Sequence, residues 1–577
     1  MNPLVSDAFV DFLVADVLDV EGLCRLPKFE GHGKETIGPW FAACRRVARE
    51  VLAPGYRAID AEPPRLVDGR VRVHPKMHDA WRELVGLDVI AAVHQLPLTV
   101  TTLSSAYLMA GNLSAYGLAG LTAGAAHLIE AFGSGAVREL FLSQLRSGEW
   151  AGTMALTEPQ AGSSLADVTT RARPVAEGTF LINGAKIFIS GGDQDLTQNV
   201  VHLVLARIEG SPAGTKGISL FAVPRRRPEG DGLVDNDVHV SGVIHKIGWR
   251  GLPSLALSFG DEGDCHGWLV GMPNQGLRCM FQMMNEARIM VGVNAAATAS
   301  VAFHESVAYA KDRKQGRALG NADASSEQVP LTAHADVRRM LLRQKAIVEG
   351  SLALLGLTAR FADLSVHAAD EAERTRAKWL LDLLTPIAKT FPAEKGFESN
   401  ALALQVHGGY GYSSEYLPEA WLRDQKLNTI HEGTTSIQGL DLLGRKVVAG
   451  GGAALLALVD EMEPDLAKSA LDVSVLRAAV GQVSEVTAAL GARGASGDVE
   501  GMLGHSADFM EAMSVVVVGW VWTKLSNAVA GRDDDFSKGL RTAAQYWLVT
   551  EVPRVDALLK LCVSEDRSYL DLQPAWL

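Results

Sequence analysis

The chain has 577 residues, 47 % hydrophobic and 21 % charged, which describes a globular protein of roughly two to four domains with sizeable cores. Its formal net charge of −13 argues against non-specific nucleic-acid binding. The five cysteines, Cys24, Cys44, Cys265, Cys279 and Cys562, are odd in number and form no close pair, so neither a disulfide framework nor a metal site is expected, and reduced cytoplasmic thiols are the simplest reading.

Residues 1–150 carry helical spacing, as in Ala8 to Leu18, where apolar residues recur three and four apart and Asp11 and Asp16 face out. No basic leader with a cleavage site opens the chain, so secretion is not expected. Residues 151–272 switch to strand period. Thr179–Ile182 and Ala185–Ser190 flank Asn183-Gly184, a strong hairpin signal because both residues tolerate positive φ. Val200 to Arg207 and Gly217 to Val223 add strands on either side of a loop at Gly210 to Gly214.

Helices return from Pro273: one or two over Met280 to Arg313, then Asp336 to Leu364, Glu371 to Lys395 and Thr434 to Val448, with Asn321 to Pro330 as a polar loop. Gly450-Gly451-Gly452 marks a linker, after which residues 453–577 continue as helix. The most apolar stretch, Met513 to Trp522, falls short of the roughly 18 residues of a membrane span and reads as a buried helix.

Several short runs carry possible chemistry. In Met154-Ala155-Leu156-Thr157-Glu158-Pro159-Gln160-Ala161-Gly162-Ser163-Ser164, Thr157 and Ser163 supply hydroxyls, and Ala161-Gly162 lets backbone N–H groups come close to a ligand. Lys186-Ile187-Phe188-Ile189-Ser190 places an aromatic and a hydroxyl on one strand. Gln405-Val406-His407-Gly408-Gly409-Tyr410-Gly411-Tyr412 is a Gly-rich turn. Downstream, Ile430-His431-Glu432-Gly433-Thr434 sets one carboxylate beside a glycine and hydroxyls, where it can reach a bound ligand as a general base. Taken singly, each is an ordinary turn or strand.

Together and in this order, the runs closely resemble the signatures of the acyl-CoA dehydrogenase family over roughly residues 30–450, and the extra length resembles the large bacterial branch that includes methylmercaptopropionyl-CoA dehydrogenases. The resemblance implies a mainly α fold with a central β domain: an N-terminal all-α domain (1–150), a middle β domain (151–272), a C-terminal four-helix bundle (273–450) and an additional helical domain (453–577).

It also implies FAD-dependent oxidation of an acyl-CoA thioester to its 2,3-enoyl form, with electrons passed to an electron-transfer flavoprotein. Glu432 aligns with the family's base. Leu156, Thr157, Gly162 and Ser163 align with the flavin-binding segment, Phe188 with the aromatic on the isoalloxazine in place of the commoner Trp, and Ser190 with the hydroxyl at flavin N5. Arg313 in Lys311-Asp312-Arg313-Lys314-Gln315-Gly316 aligns with the element reaching the FAD pyrophosphate of a neighbouring subunit, although Gly316 stands where Phe is usual. Gln405, Gly408 and Gly409 would approach the same ADP half, with Thr434 and Ser436 near its other edge.

Ser163, Arg288 and Gly433 are the substrate-contact candidates, and Ala287 occupies the position from which some members take their base. His431 replaces the usual Tyr and is expected to be neutral, since a cation there would blunt Glu432. Ala92-Val93-His94-Gln95-Leu96-Pro97 departs from the family's Gly-rich stretch, so the acyl group is not identified. His245 to Gly251 resembles a family strand of structural role.

A homodimer is expected over a tetramer, because the extension has helix to cover the surface through which shorter members pair. An acyl-CoA oxidase would use the same residues. A non-catalytic DNA-binding flavoprotein of this fold would need a basic C-terminal region, whereas residues 451–577 hold 18 Asp and Glu against 10 Lys and Arg.

Overall fold

The computed structural model describes residues 2–320, 323 and 325–577, with backbone alone at 281–284. Helices, then strands, then helices follow in the expected order. The chain forms two compact units, one of Met1–Lys34, Pro97–Ala106 and Arg288–Leu577, the other of Glu35–Leu96 and Tyr107–Ala287. These cut across the segments read from sequence, because the division falls inside the helices Leu98–Phe132 and Gly276–Asp312. Asn321, Ala322 and Ala324 of the expected polar loop lie outside the described residues.

The second unit is built around a sheet. Its strands are β1 (Arg65–Val67), β2 (Arg70–Arg72), β3 (Trp150–Ala155), β4 (Arg171–Ala176), β5 (Thr179–Ser190), β6 (Asn199–Ile208), β7 (Ile218–Pro224), β8 (Arg226–Glu229), β9 (Gly232–Asp235), β10 (Val238–Val243), β11 (Ser254–Phe259) and β12 (His266–Val270). The main sheet runs β10-β11-β5-β12-β7-β6-β3, with β4 paired to β5 and β6. The β6 and β7 strands are buried on both faces and read as nearly continuous apolar runs.

The hairpin expected at Asn183-Gly184 does not form: β5 passes straight through, pairing β4 and β12 with its first half and β11 with its second. Close approach, not a turn, is what the glycine serves. A Cβ on Gly184 would stand 2.8 Å from the Thr170 Cα. Asn183 uses its amide to donate to Gly260 O at 2.9 Å.

The segment after β5 pins the β1–β2 hairpin. Buried Asp193 accepts from Val71 N at 2.8 Å and Arg70 Nε at 3.1 Å, and Asp195 accepts from Val73 N at 3.1 Å.

The first unit is helical. Ala335–His367 packs along Glu371–His407, which runs through Pro386 and Pro392 and continues past the expected end at Lys395. Pro392 cannot donate to Ala388 O, and that carbonyl faces Gly292, where a Cβ would come within 2.2 Å. The three glycines at 450–452 all take positive φ, as a linker between helices requires.

The segment beyond residue 453 packs on this bundle. In the helix Ser506–Ala528, Met513, Val515, Val516, Val517, Val518, Trp520 and Trp522 are all buried. Trp522 Nε1 donates to Ala346 O at 3.1 Å and Trp520 Nε1 to Asp465 Oδ2 at 3.0 Å, so the large rings are buried without orphaned donors. Arg343 ties Glu398 to Glu551, and Lys395 Nζ lies 2.6 Å from Glu511. Gly439 faces the Ser506 carbonyl, which a Cβ would approach within 2.6 Å.

The extension is thus part of the bundle's core. Trp522→Ala should destabilise the protein by about 3–5 kcal/mol, read as a lowered midpoint in urea. A chain ending near Gly450 should be insoluble, because its removal strips the packing from Ala346 and Gly350; recovery of a soluble, cooperatively folding truncation would contradict this.

Candidate active site

Two of the runs singled out in the sequence meet on the sheet of the second unit. The loop after β3 lies beside β5, since Ile187 N donates to Thr157 O at 2.9 Å and Thr153 Oγ1 donates to Ser190 O at 2.5 Å. Glu158 and Lys186 staple the two from within. Lys186 is buried, and its Nζ donates to Glu158 Oε1 at 2.9 Å, Leu156 O at 3.0 Å and Leu205 O at 2.8 Å.

Glu158 also accepts from the backbone and hydroxyls of Thr169 and Thr170. Burial raises its carboxyl, but the Lys186 charge and these donors outweigh burial and hold it down at about 2. Glu158 lay inside the quoted motif, yet its role became visible only with its partners.

The staple leaves the neighbouring positions open. Gly162 and Ser163 are exposed, Leu156 and Thr157 half-buried. In β5 the register with β11 slips between Leu255 and Leu257, and Phe188 in this bulge takes φ +61°. A left-handed bulge residue is aimed out of the pleat, and Phe188 is 61 % exposed while Ile189 beside it is buried. Ser190 ends the strand half-buried.

A third group of residues lines a cavity of about 670 Å³ in the first unit. Arg313, Gln405, Gly408 and Gly409 are among its walls, and the Arg313 guanidinium lies 5.2 Å from the Tyr410 ring centre. Gly408 ends its helix with φ +61°, and neither it nor Gly409 has an atom near the position of a Cβ. Gly316, where an aromatic was expected from the resemblance, takes φ +66° in a turn that Val329 N closes onto Gly316 O at 3.1 Å. That backbone explains glycine at this position. Thr434 and Ser436 are not among the walls of the cavity.

Glu432 sits elsewhere in the first unit, on a loop entering the short helix Thr435–Asp441. It takes φ +52°, a strained conformation for a residue other than glycine, and Gly433 follows at +90°. The loop is held by its surroundings: Gln438 Nε2 donates to Glu432 O at 2.9 Å, and Thr434 caps the helix, its hydroxyl accepting from Ile437 N. The Glu432 side chain keeps an exposed surface, while the protein packed around its carboxyl makes desolvation the largest influence on its charge. Burial raises the carboxyl above its ordinary value, against the lowering pull of Arg288 and Lys389.

His431 is neutral, as expected. Burial lowers it to about 4. Its Nδ1 donates to Leu427 O at 2.8 Å, which fixes the tautomer.

Arg288 is buried and pairs with Asp441 at 2.7 Å, not with Glu286. Asp441 was absent from the sequence reading. Its position nine residues beyond Glu432 offered no signal by itself. In the second unit, Glu286 faces His127 at 3.6 Å, and the His127 ring stacks edge-on against His94 of the altered Gly-rich stretch at 4.7 Å between centres.

Comparison with known proteins identifies the family. Residues 153–261 match the acyl-CoA dehydrogenase middle domain, 274–447 the acyl-CoA dehydrogenase C-terminal domain, and 458–573 a domain described as acetyl-CoA dehydrogenase C-terminal like. The chain is 39 % identical to the 3-methylmercaptopropionyl-CoA dehydrogenase of Ruegeria pomeroyi over 70 % of each protein. It is 30 % identical to the broad-specificity linear acyl-CoA dehydrogenase FadE5 of Mycobacterium tuberculosis over 98 % of each.

Among solved structures, the fold resembles that of Caenorhabditis elegans ACDH-11 in complex with C11-CoA, with TM-score 0.74, 19 % identity and coverage of 97 % of this chain and 96 % of that one. An acyl-CoA dehydrogenase from Bacillus anthracis complexed with FAD gives TM-score 0.74 at 18 % identity, covering 99 % of this chain and 96 % of that one. With both the catalytic-domain motifs and the helical extension matched, the chain belongs to the acyl-CoA dehydrogenase family, whose cofactor is FAD.

Proposed function

We propose that Glu432 removes the α-proton of an acyl-CoA thioester while the β-hydrogen leaves as hydride, giving the 2,3-enoyl-CoA. The observation that carries this reading is the state of Glu432 itself: a carboxylate with raised proton affinity on a left-handed loop, between buried cations and without a direct ion-pair partner among the described residues. Such a group is more basic than a fully solvated Glu yet keeps access to its charged form. Ala287, at the alternative position, has no proton to exchange.

FAD, when bound, would supply the two-electron acceptor for the β-hydride. The residues fit that cofactor. The cavity beside Arg313 offers a guanidinium for phosphate oxygens and two glycines through which the backbone can come close, so Arg313, Gln405, Gly408 and Gly409 are assigned the ADP half. Leu156, Thr157, Gly162, Ser163 and Ser190, with the outward face of Phe188, are assigned the flavin, and Thr434 and Ser436 the other edge of the ADP half.

Gly433 and Ser163 are assigned substrate contacts. The Glu432 backbone N–H, held in place by the Gln438 grip on the same residue's carbonyl, is assigned to the thioester oxygen. Arg288, held by Asp441, is assigned a contact near the base. Electrons then pass to an electron-transfer flavoprotein, and the working form is a homodimer in which Arg313 serves the partner's FAD.

Glu432→Gln should keep bound FAD but slow flavin bleaching by about 10²–10⁴-fold in anaerobic stopped flow, while Glu286→Gln loses far less. Wild-type bleaching in Glu432→Gln would remove it from the mechanism. The acid limb of the bleaching rate should lie above the ordinary Glu value of about 4.3, because the rate falls as Glu432 is protonated. His431→Phe should leave that limb in place, since His431 is already neutral above about 4.

Arg313→Ala should weaken FAD binding at least about tenfold, followed by flavin fluorescence, and should shift light scattering from dimer toward monomer. A tetramer in the wild type would contradict the dimer.

A further inference from the structure

The backbone of Arg313 is fixed on both sides. Its N–H donates to Tyr309 O at 2.8 Å, one turn back at the end of the helix Gly276–Asp312, and its carbonyl accepts from Leu331 N at 2.9 Å. The side chain is exposed, and no hydrogen bond or ion pair among the described residues holds its guanidinium. Asp336, an acid in the same cavity wall, is taken by Arg339 at 2.7 Å. A guanidinium left free on so long a side chain samples many rotamers, and ordering it would count against any ligand it binds.

What orients it is a ring. The Arg313 guanidinium lies over Tyr410 at 5.2 Å from the ring centre, within the range of cation–π attraction. Attraction of this kind uses no oxygen acceptor, so the N–H donors stay available for phosphate oxygens. Tyr410 belongs in turn to a cluster of four rings, three of them in the cavity wall. It leans on Tyr416 at 5.3 Å, Tyr416 meets Tyr309 edge-on at 6.1 Å, and Tyr309 stacks on His407 at 4.3 Å. His407 is buried and pinned, its Nδ1 donating to Ala403 O at 2.7 Å. Tyr410 itself is 43 % exposed, so the core does not force its ring against Arg313. Gly316, three residues beyond Arg313, has no side chain with which to do the same.

We propose that Tyr410 is a positioning residue for the cofactor: its ring, backed by Tyr416, Tyr309 and His407, holds the Arg313 guanidinium in the cavity for the pyrophosphate of FAD. The inference rests on the cavity taking the ADP half.

Tyr410→Leu keeps apolar bulk and removes the ring, so the FAD dissociation constant of the full-length protein, followed by flavin fluorescence, should rise about 3–10-fold. Tyr410→Phe keeps the ring and should restore wild-type affinity. Because Tyr410 acts through Arg313, Tyr410→Leu should add nothing in an Arg313→Ala background, whereas a merely structural role would cost affinity in both backgrounds alike.

Unchanged FAD affinity in Tyr410→Leu overturns the proposal. So does an equal loss in the two backgrounds, or a Tyr410→Phe that binds no better than Tyr410→Leu. Should Tyr410→Leu fail to fold, Tyr410→Gln carries the same expectation at this half-exposed position and the same refutation. Arg313→Ala separates the two readings: wild-type FAD affinity there refutes the assignment of the cavity to the ADP half, whereas a weakened Arg313→Ala beside an unchanged Tyr410→Leu refutes only the role of Tyr410.

Discussion

A carboxylate that must pull a proton from carbon has to be desolvated without surrendering its charge. Burial raises its affinity for the proton and equally favours the form that has already taken one. Around Glu432, the proposed base, charge is distributed over one loop: Arg288 tied to Asp441, Lys389 buried near Glu394, and His431 kept neutral by burial and by its bond to Leu427. The loop geometry belongs to the same solution. Left-handed φ at Glu432 costs conformational energy that the same conformation does not cost Gly433, and the Gln438 and Thr434 contacts hold it where an isolated segment would relax.

The sheet unit handles the opposite problem, that of presenting polar and aromatic groups at an open edge without loosening the strands behind them. A fully buried Glu158–Lys186 pair does this by satisfying many donors at once. Pairs of this kind contribute little net stability compared with apolar packing, but they fix which strand lies beside which loop. The bulge at Phe188 then turns one aromatic outward from an otherwise regular strand.

The legible parts of the sequence were those with periodicity or a dense motif. The apolar run at 513–522 announced a buried helix because no face of it could be left in water, and the apolar strands β6 and β7 announced a sheet core. Asn183-Gly184 misled because the same residue pair that suits a turn also suits a strand with a backbone pressed against it; which applies depends on Thr170, far away in sequence. The motifs picked out Glu432 and the glycines near Arg313 as candidates, whereas Asp441, Lys389 and the partners of Glu158 depend on charges meeting across helices and loops. Local pattern cannot carry such information. The helix Glu371–His407 was expected with both prolines inside it but ended at Lys395, twelve residues early, because the stretch from Gly396 to His407 carries no strong local end signal.

The helical unit is assembled from three stretches of chain separated by most of the sheet unit. Asn2 donates to Val301 O at 2.9 Å, Thr99 Oγ1 to Asp363 at 2.7 Å, and Arg532 meets Asp16 at 2.7 Å. During synthesis, residues 2–34 therefore emerge long before their packing partners exist, while most of the sheet unit can collect its strands as they appear. The apolar face of the first helices must stay uncommitted until residues beyond 500 leave the ribosome. Closure of so large a loop makes assembly slow, and it leaves the nascent chain most dependent on chaperones at a late and definable length.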